Sequence, residues 1–251
     1  MRAIGLLIGA SWGLAILAQL TGSAGLLHHH ELIEGGGPLW LAALLFLAGW
    51  QVMVAGMMLP ASVPAVRAFS AFKASAGPPL PGLAGRLGPI AAVAGFLAAY
   101  FVAWSAFGLA SFAGDTLVHH AVDATPWLAD HAWLIEVGVL ATAGAYQLSG
   151  LKRRGLAACR RPCACSESAL ATGARHARDC LVSSWALMLL MFAAGFANVA
   201  WMAILAAVMV YEGRGRRGPQ LATAFGVLLL ALAAAEAWTG LTGSALLGPV
   251  V

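Results

Sequence analysis

The fold is decided by residues 180–211, which read CLVSSWALMLLMFAAGFANVAWMAILAAVMVY. A membrane-spanning helix needs roughly 20 apolar residues, so this run is too long for one crossing and short for two. Both of its flanks are rich in arginine, and Lys and Arg collect on the cytoplasmic side of membrane proteins. The chain is therefore predicted to enter and leave from one side, as a tight helical hairpin over residues 176–211 that turns near Gly195 and Asn198.

Five further apolar runs are each long enough to cross a bilayer. They cover about residues 3–21, 38–59, 88–113, 127–148 and 219–239. The composition agrees, since 61% of the residues are hydrophobic and 10% are charged, whereas soluble domains carry about 25% charged residues. Backbone groups inside lipid must pair within their own segment, so the runs are helices. We predict an all-α polytopic transmembrane bundle of about seven helices, with residues 1–251 forming a single transmembrane domain.

Loop charge sets the predicted orientation. The Pro-rich connector 60–87, with a short interfacial helix around residues 66–72, and the Arg/Cys-rich loop 149–175 carry Lys and Arg and are predicted to be cytoplasmic. Residues 22–37 and 114–126 contain no Lys or Arg and are predicted to lie outside. This places the N-terminus in the cytoplasm and the C-terminus outside a bacterial inner membrane.

The first apolar run and the net charge of the chain each need an interpretation. The first apolar run could instead be a secretory signal, but it is slightly long for one, and we favour a retained helix. The net charge of +4 is explained by cytoplasmic arginines that face anionic headgroups. The lipid bilayer is thus the predicted partner, and a nucleic-acid partner is not needed.

The first group of candidate metal ligands lies in the two outer loops. It comprises His28, His29, His30, Glu31, Glu34, Asp115, His119, His120, Asp123, Asp130 and His131. Imidazole together with carboxylate suits Zn, Cu, Ni or Fe better than Mg or Ca. The alternative is that these polar side chains simply solvate short loops.

A second candidate is acidic. Glu136 lies nine residues into the fourth predicted helix, which at about 1.5 Å per residue is on the order of 13 Å deep. Carboxylates inside a membrane are costly and are therefore functional candidates. Together with Glu236 it could line a cation or proton path; alternatively, it is a protonated packing residue.

Soft ligands form the third and fourth groups. Three cysteines with the spacing C-x3-C-x-C are followed by a histidine and a further cysteine: Cys159, Cys163, Cys165, His176 and Cys180. Thiolates at such spacing favour Cu(I) or Zn, and cytoplasmic thiols are expected to stay reduced. Met53 and Met57 share one helical face, as do Met188 and Met191. The other methionines of this set are Met58, Met202 and Met209. Thioethers bind Cu(I), but methionine is also an ordinary packing residue.

Two segments resemble one family of membrane proteins. Residues 50–60 read WQVMVAGMMLP, with Pro64 after them, and resemble the W-x-x-M-x-x-A-M-M-L-P motif of the DUF2182 family. The second segment runs from about residue 146 to residue 212, and its resemblance to the family rests on scattered positions. These are Tyr146, Gln147, Lys152, Cys159, Arg160, Pro162, Gly173, His176, Cys180, Trp185, Ala186, Leu187, Met188, Gly195, Asn198, Trp201, Met202 and Glu212.

The resemblance implies a metal-binding integral membrane protein. The chain departs from the family pattern at Ser183-Ser184, where members tend to carry a Cys-Cys pair, and at Gly155 or Leu156, which stands in place of another cysteine. These departures weaken the transfer of any thiolate site to this chain.

Three functions compete. The first is the binding or movement of transition-metal ions, with Cu or Zn as the predicted metal, captured outside, passed along Glu136 and the methionines, and handed to the inner cysteines. The second is a non-catalytic accessory subunit that packs in a larger membrane complex, which the many glycines and tryptophans suit. A membrane enzyme with a metal at the outer histidines comes last, because no base and nucleophile can be paired by spacing. The sequence favours the first.

Overall fold

The computed structural model describes residues 2–22, 38–75, 82–161, 165–166, 168–193 and 198–242. In this part of the chain there are ten helices and no strand, so the all-α prediction is confirmed. The helices are α1 (Arg2–Leu20), α2 (Leu39–Met57), α3 (Leu59–Ser75), α4 (Gly82–Ala124), α5 (Pro126–Ala129), α6 (Trp133–Leu148), α7 (Gly150–Cys159), α8 (Ala169–Ala193), α9 (Val199–Arg214) and α10 (Gly218–Thr242).

Four of these segments are long and apolar enough to cross a membrane. They are Arg2–Leu20, Leu39–Met57, Gly88–Ala124 and Gly218–Thr242. A fifth span results if α6 and α7, which meet at a bend of 64°, count together. Since α8 and α9 are not among these spans, the count of seven crossings stays a prediction.

The chain doubles back between α8 and α9. Lys152 on α7 contacts both arms, because its Nζ donates to the Ser183 carbonyl on α8 and to the Glu212 carboxylate near the end of α9. The predicted turn at Gly195 lies outside the described residues. Asn198 begins the return arm as a helix cap, since its Oδ1 accepts hydrogen bonds from the Ala200 and Trp201 amides.

Three boundaries differ from the prediction. The connector after α2 is largely the 17-residue helix α3, which tolerates Pro64 because Val66 and Phe69 pack into a buried cluster. Helix α4 continues through the predicted loop 114–126 as far as Ala124, since no proline lies between Pro89 and Pro126. Pro126 then starts the short α5, and α6 begins only at Trp133.

Close helix contacts position the site. Helix α10 packs along α6, where Gly144 and Gly226 let the two backbones approach. Helix α4 packs along α8, where Gly173 lies against the Phe96 backbone. The second contact brings the α4 residue Tyr100 beside Cys180 on α8.

Candidate metal site

A small cavity of about 40 Å³ lies among α3, α7, α8 and α9, beside the break between α2 and α3. Its lining combines soft ligand atoms with hydroxyls and one carboxylate. The lining residues are Met58, Ala61, Ser62, Leu156, Cys159, His176, Cys180, Ser183, Ser184, Met209, Glu212 and Gly213.

Helix α8 supplies one wall of the cavity. His176, Cys180 and Ser184 are four residues apart, so they lie on successive turns of one helical face. Cys180 is buried, with 5% of its surface exposed, and its thiol is free.

Met58 supplies the opposing soft atom. It lies between α2 and α3 with helical backbone angles, and its amide donates to the Val54 carbonyl. Its Sδ lies 4.0 Å from the Cys180 Sγ and 3.7 Å from the Ser184 Oγ. Two sulfurs that each bind one metal at roughly 2.3 Å, 120° apart, would be separated by about 4 Å. The observed separation therefore suits a shared metal ion.

His176 completes this group. Its ring stacks on Tyr100, with centroids 5.7 Å apart and an interplanar angle of 23°, and packs on Phe96 from 5.7 Å. Its Nε2 is buried and has no hydrogen-bond partner among the residues that the structure describes. A buried imidazole nitrogen without a partner is costly, and a metal ion in the cavity would satisfy it.

A buried ion pair borders the cavity. Lys152 and Glu212 are each 1% exposed, and Lys152 Nζ lies 2.5 Å from Glu212 Oε2 and 2.5 Å from the Ser183 carbonyl. Gln147 donates to Glu212 Oε1 over 2.7 Å. The Arg160 guanidinium donates to the backbone carbonyls of Glu212 and Gly215. The network compensates both buried charges and ties α7 to α8 and α9.

The predicted cysteines separate into different environments. Cys159 is half-buried and lines the cavity, with its Sγ 3.6 Å from the Ser183 Oγ. Cys163 lies outside the described residues. Cys165 is disulfide-bonded, contrary to the expectation of reduced thiols, and does not line the cavity.

The predicted methionines divide between the hydrophobic core and the cavity lining. Met53 and Met57 are buried in the hydrophobic core and do not line it, whereas Met58 and Met209 do. Met53 and Met57 share one helical face, whereas Met58 follows Met57 by about 100° around the helix axis. Its side chain therefore lies toward α8, where its Sδ contacts Cys180 and Ser184.

The outer residues are only partly described. His28, His29, His30 and Glu31 lie outside the described residues. On α4, His119 Nδ1 lies 2.9 Å from the Asp115 carbonyl oxygen and 3.8 Å from its carboxylate. The last turn of that helix also presents two exposed side chains to solvent, namely His120 and Asp123.

The other outer candidates lie on α5 and α6. His131 stacks on Trp127, with ring centroids 4.7 Å apart. Glu136 is half-buried and lies in the first turn of α6 rather than nine residues into a helix, because the helix begins at Trp133 and not at Trp127. Across the described ranges, no three His, Cys, Asp or Glu residues are grouped closely enough to hold a metal ion.

Several cavity residues had no predicted role. Gln147, Lys152 and Glu212 carry part of the family resemblance, which was the available signal, although Lys152 was placed in a cytoplasmic loop. Tyr100 had no sequence signal, since it is one aromatic residue within a long apolar run.

The comparisons with known proteins give a family. No curated protein and no solved structure matches the chain. The model of one family, PpoB2, which is described as a copper chaperone, matches residues 47–235. The match includes every residue that lines the cavity. The chain therefore belongs to the PpoB2 copper chaperone family.

Proposed function

We propose that this chain is an integral membrane copper chaperone that holds Cu(I) in the buried cavity, with Cys180, Met58 and His176 as ligands. The observation that carries the proposal is the pair of sulfurs 4.0 Å apart, with His176 on the α8 wall of the same cavity and its Nε2 without a hydrogen-bond partner among the described residues. The membership in a copper chaperone family supports the choice of cargo. The resemblance to DUF2182 proteins supports the same proposal, because its motifs contribute Met58, His176 and Cys180.

The donor set favours Cu(I) over zinc. Thiolate and thioether sulfurs are soft ligands that select Cu(I), whereas structural zinc takes four Cys, His or carboxylate ligands. One thiolate with one Cu⁺ ion also makes a neutral unit. A neutral complex avoids the large desolvation penalty of an uncompensated charge in this buried place.

The rest of the cavity suggests how the ion moves. Cys159 and Met209 line the same space and offer a second thiol and a second thioether for ligand exchange. Cys159 is the more exposed of the two free cysteines, so it is the proposed exit ligand. Capture by the outer His, Asp and Glu residues and passage along Glu136 complete the proposed route.

The test is Cu(I) binding by purified protein, measured anaerobically in detergent by competition with a Cu(I)-specific chelator. We expect one tightly held Cu(I) in the wild type. Cys180→Ser and Met58→Leu should each weaken binding by more than about 100-fold, beyond the range for changes in outer-shell partners. Met53→Leu is the matched control, since Met53 is a buried methionine of α2, close to Met58 in the chain, that does not line the cavity.

X-ray absorption on the same samples counts the ligands. The wild type should show two sulfurs on copper, and each of the two ligand variants should show one. Ser184→Cys adds a thiol beside Met58 and should strengthen binding. A wild type that takes up no Cu(I), or a Cys180→Ser variant that binds like the wild type, contradicts the proposed site.

A further inference from the structure

Tyr100 contacts two of the three proposed copper ligands, Cys180 and His176. It is fully buried on α4, and its hydroxyl lies 3.2 Å from the Cys180 Sγ. The same hydroxyl lies 3.1 Å from the Ser62 Oγ. Its ring stacks on His176. No other residue of the described chain is seen to combine a hydroxyl contact to Cys180 with a ring contact to His176.

The direction of the hydrogen bond follows from the chemistry of a metal ligand. A cysteine that binds metal does so as a thiolate and has no proton to donate. Tyr100 must then donate its O–H to the Cys180 sulfur. The Ser62 hydroxyl lies 3.1 Å from the Tyr100 oxygen and 3.2 Å from the Met58 carbonyl, so it can donate to either. The Ser184 hydroxyl is 3.9 Å from the sulfur but 2.5 Å from the Cys180 carbonyl, so its proton is engaged there.

We propose that Tyr100 is a positioning residue that sets the donor strength of the Cys180 sulfur and thereby favours Cu(I) over Cu(II) in the cavity. A hydrogen bond to a ligand sulfur withdraws electron density from it and tunes the metal. A weaker donor stabilises the higher oxidation state less, so it raises the Cu(II)/Cu(I) potential. This inference rests on the proposed function.

The structure offers a clean variant and a matched control. Tyr100→Phe removes one hydroxyl and keeps the ring that stacks on His176. Tyr146→Phe removes another hydroxyl directed at α8, which donates to the Val182 carbonyl over 2.5 Å rather than to the sulfur. Both changes delete one hydrogen bond onto the same helix, but only the first alters the environment of Cys180.

The measurements are the thiolate-to-copper charge-transfer absorption and the Cu(I) affinity of the purified protein. In Tyr100→Phe the band should move to longer wavelength, because the sulfur electrons rise in energy. Cu(I) binding should weaken by about five- to tenfold. The Tyr100 hydrogen bond stabilises the thiolate of the copper-bound state more than the neutral thiol of the free state, so its loss penalises the bound state. Tyr146→Phe should leave both unchanged, and Ser62→Ala should move the band in the same direction by less.

Each outcome separates the two proposals. If the wild type binds Cu(I) and neither Tyr100→Phe nor Ser62→Ala shifts the band, the role of Tyr100 is wrong and the copper site stands. A band shift of equal size in Tyr146→Phe also overturns it, since that would report a general loosening of α8. If the wild type and Tyr146→Phe bind no Cu(I), the proposed function itself fails.

Discussion

Lys152 and Glu212 illustrate how much depends on single residues. Each charge alone would be costly in this buried place, but the two compensate each other, and Gln147 and the Ser183 carbonyl add further hydrogen bonds. Lys152 bonds both Ser183 on α8 and Glu212 on α9, so the ion pair also fixes the position of one arm of the hairpin relative to the other. We infer that the pair keeps the cavity walls in register.

Removal of Lys152 should therefore destabilise the protein strongly. Lys152→Met leaves Glu212 as an unpaired buried charge and should lower the free energy of unfolding by about 3–5 kcal/mol. The measurement is denaturant unfolding in detergent micelles. The control is Arg153→Met, because Arg153 is the exposed neighbour on the same helix, and its replacement should stay within about 0.5 kcal/mol.

A double variant checks the physical cause. Lys152→Met combined with Glu212→Leu removes both charges and should recover a large part of the loss, because no uncompensated charge remains. Equal destabilisation by Lys152→Met and Arg153→Met would show that the buried pair is not what holds this region together.

Among the elements, the contact between α4 and α8 matters most for the site. A side chain on Gly173 would collide with the Phe96 carbonyl oxygen, so only glycine permits this approach. The contact sets the distance between Tyr100 on one helix and Cys180 on the other. The distance between α4 and α8 thus controls the geometry of the proposed copper site.

Gly173→Ala tests this link. Overpacking at the contact should cost about 1–3 kcal/mol of stability, and it should weaken Cu(I) binding because it moves α8 away from Tyr100. Gly138→Ala is the control, since a side chain there meets open space. Thermal unfolding and chelator competition on both variants give the answer. If Gly173→Ala is destabilised but its Cu(I) affinity is unchanged, the contact between α4 and α8 contributes to stability and not to Cu(I) binding, which contradicts the prediction.

The element boundaries show where sequence reasoning failed. The apolar runs located the long apolar helices. An apolar run can end before its helix does, and α4 continues past residue 113 to Ala124. Helix ends are set by breakers and caps instead, as at Pro126 and Asn198.

For the whole molecule, the prediction concerns orientation in the membrane. The arginine-rich end should face the cytoplasm, and the end with His120 and Trp127 should face outward. In His120→Cys, a membrane-impermeant maleimide should label intact spheroplasts above the wild-type level. Arg178→Cys should gain label only after the membrane is opened, since both positions are exposed. Labelling of both variants in intact spheroplasts would refute the orientation.

The sequence by itself determined the class of this protein and the residue types available for its chemistry. Twenty apolar residues in a row can satisfy their backbone in lipid only as a helix, so local composition was sufficient for the helical bundle. The hairpin was also readable, because charge on both flanks is a local property. His176 and Cys180 could be selected because their spacing alone puts them on one helical face.

Only the tertiary structure decided which of the candidates meet. Met58 and Glu212 line the cavity, and Tyr100 and Lys152 lie beside it, each from a different part of the fold. Their positions depend on glycine approaches and a hairpin return that no local pattern specifies. Distances between residues 80 or more positions apart are set by packing, and packing is a property of all the helices together. For that reason the sequence supplied a list of soft ligands, and the fold selected Cys180 and Met58 from it.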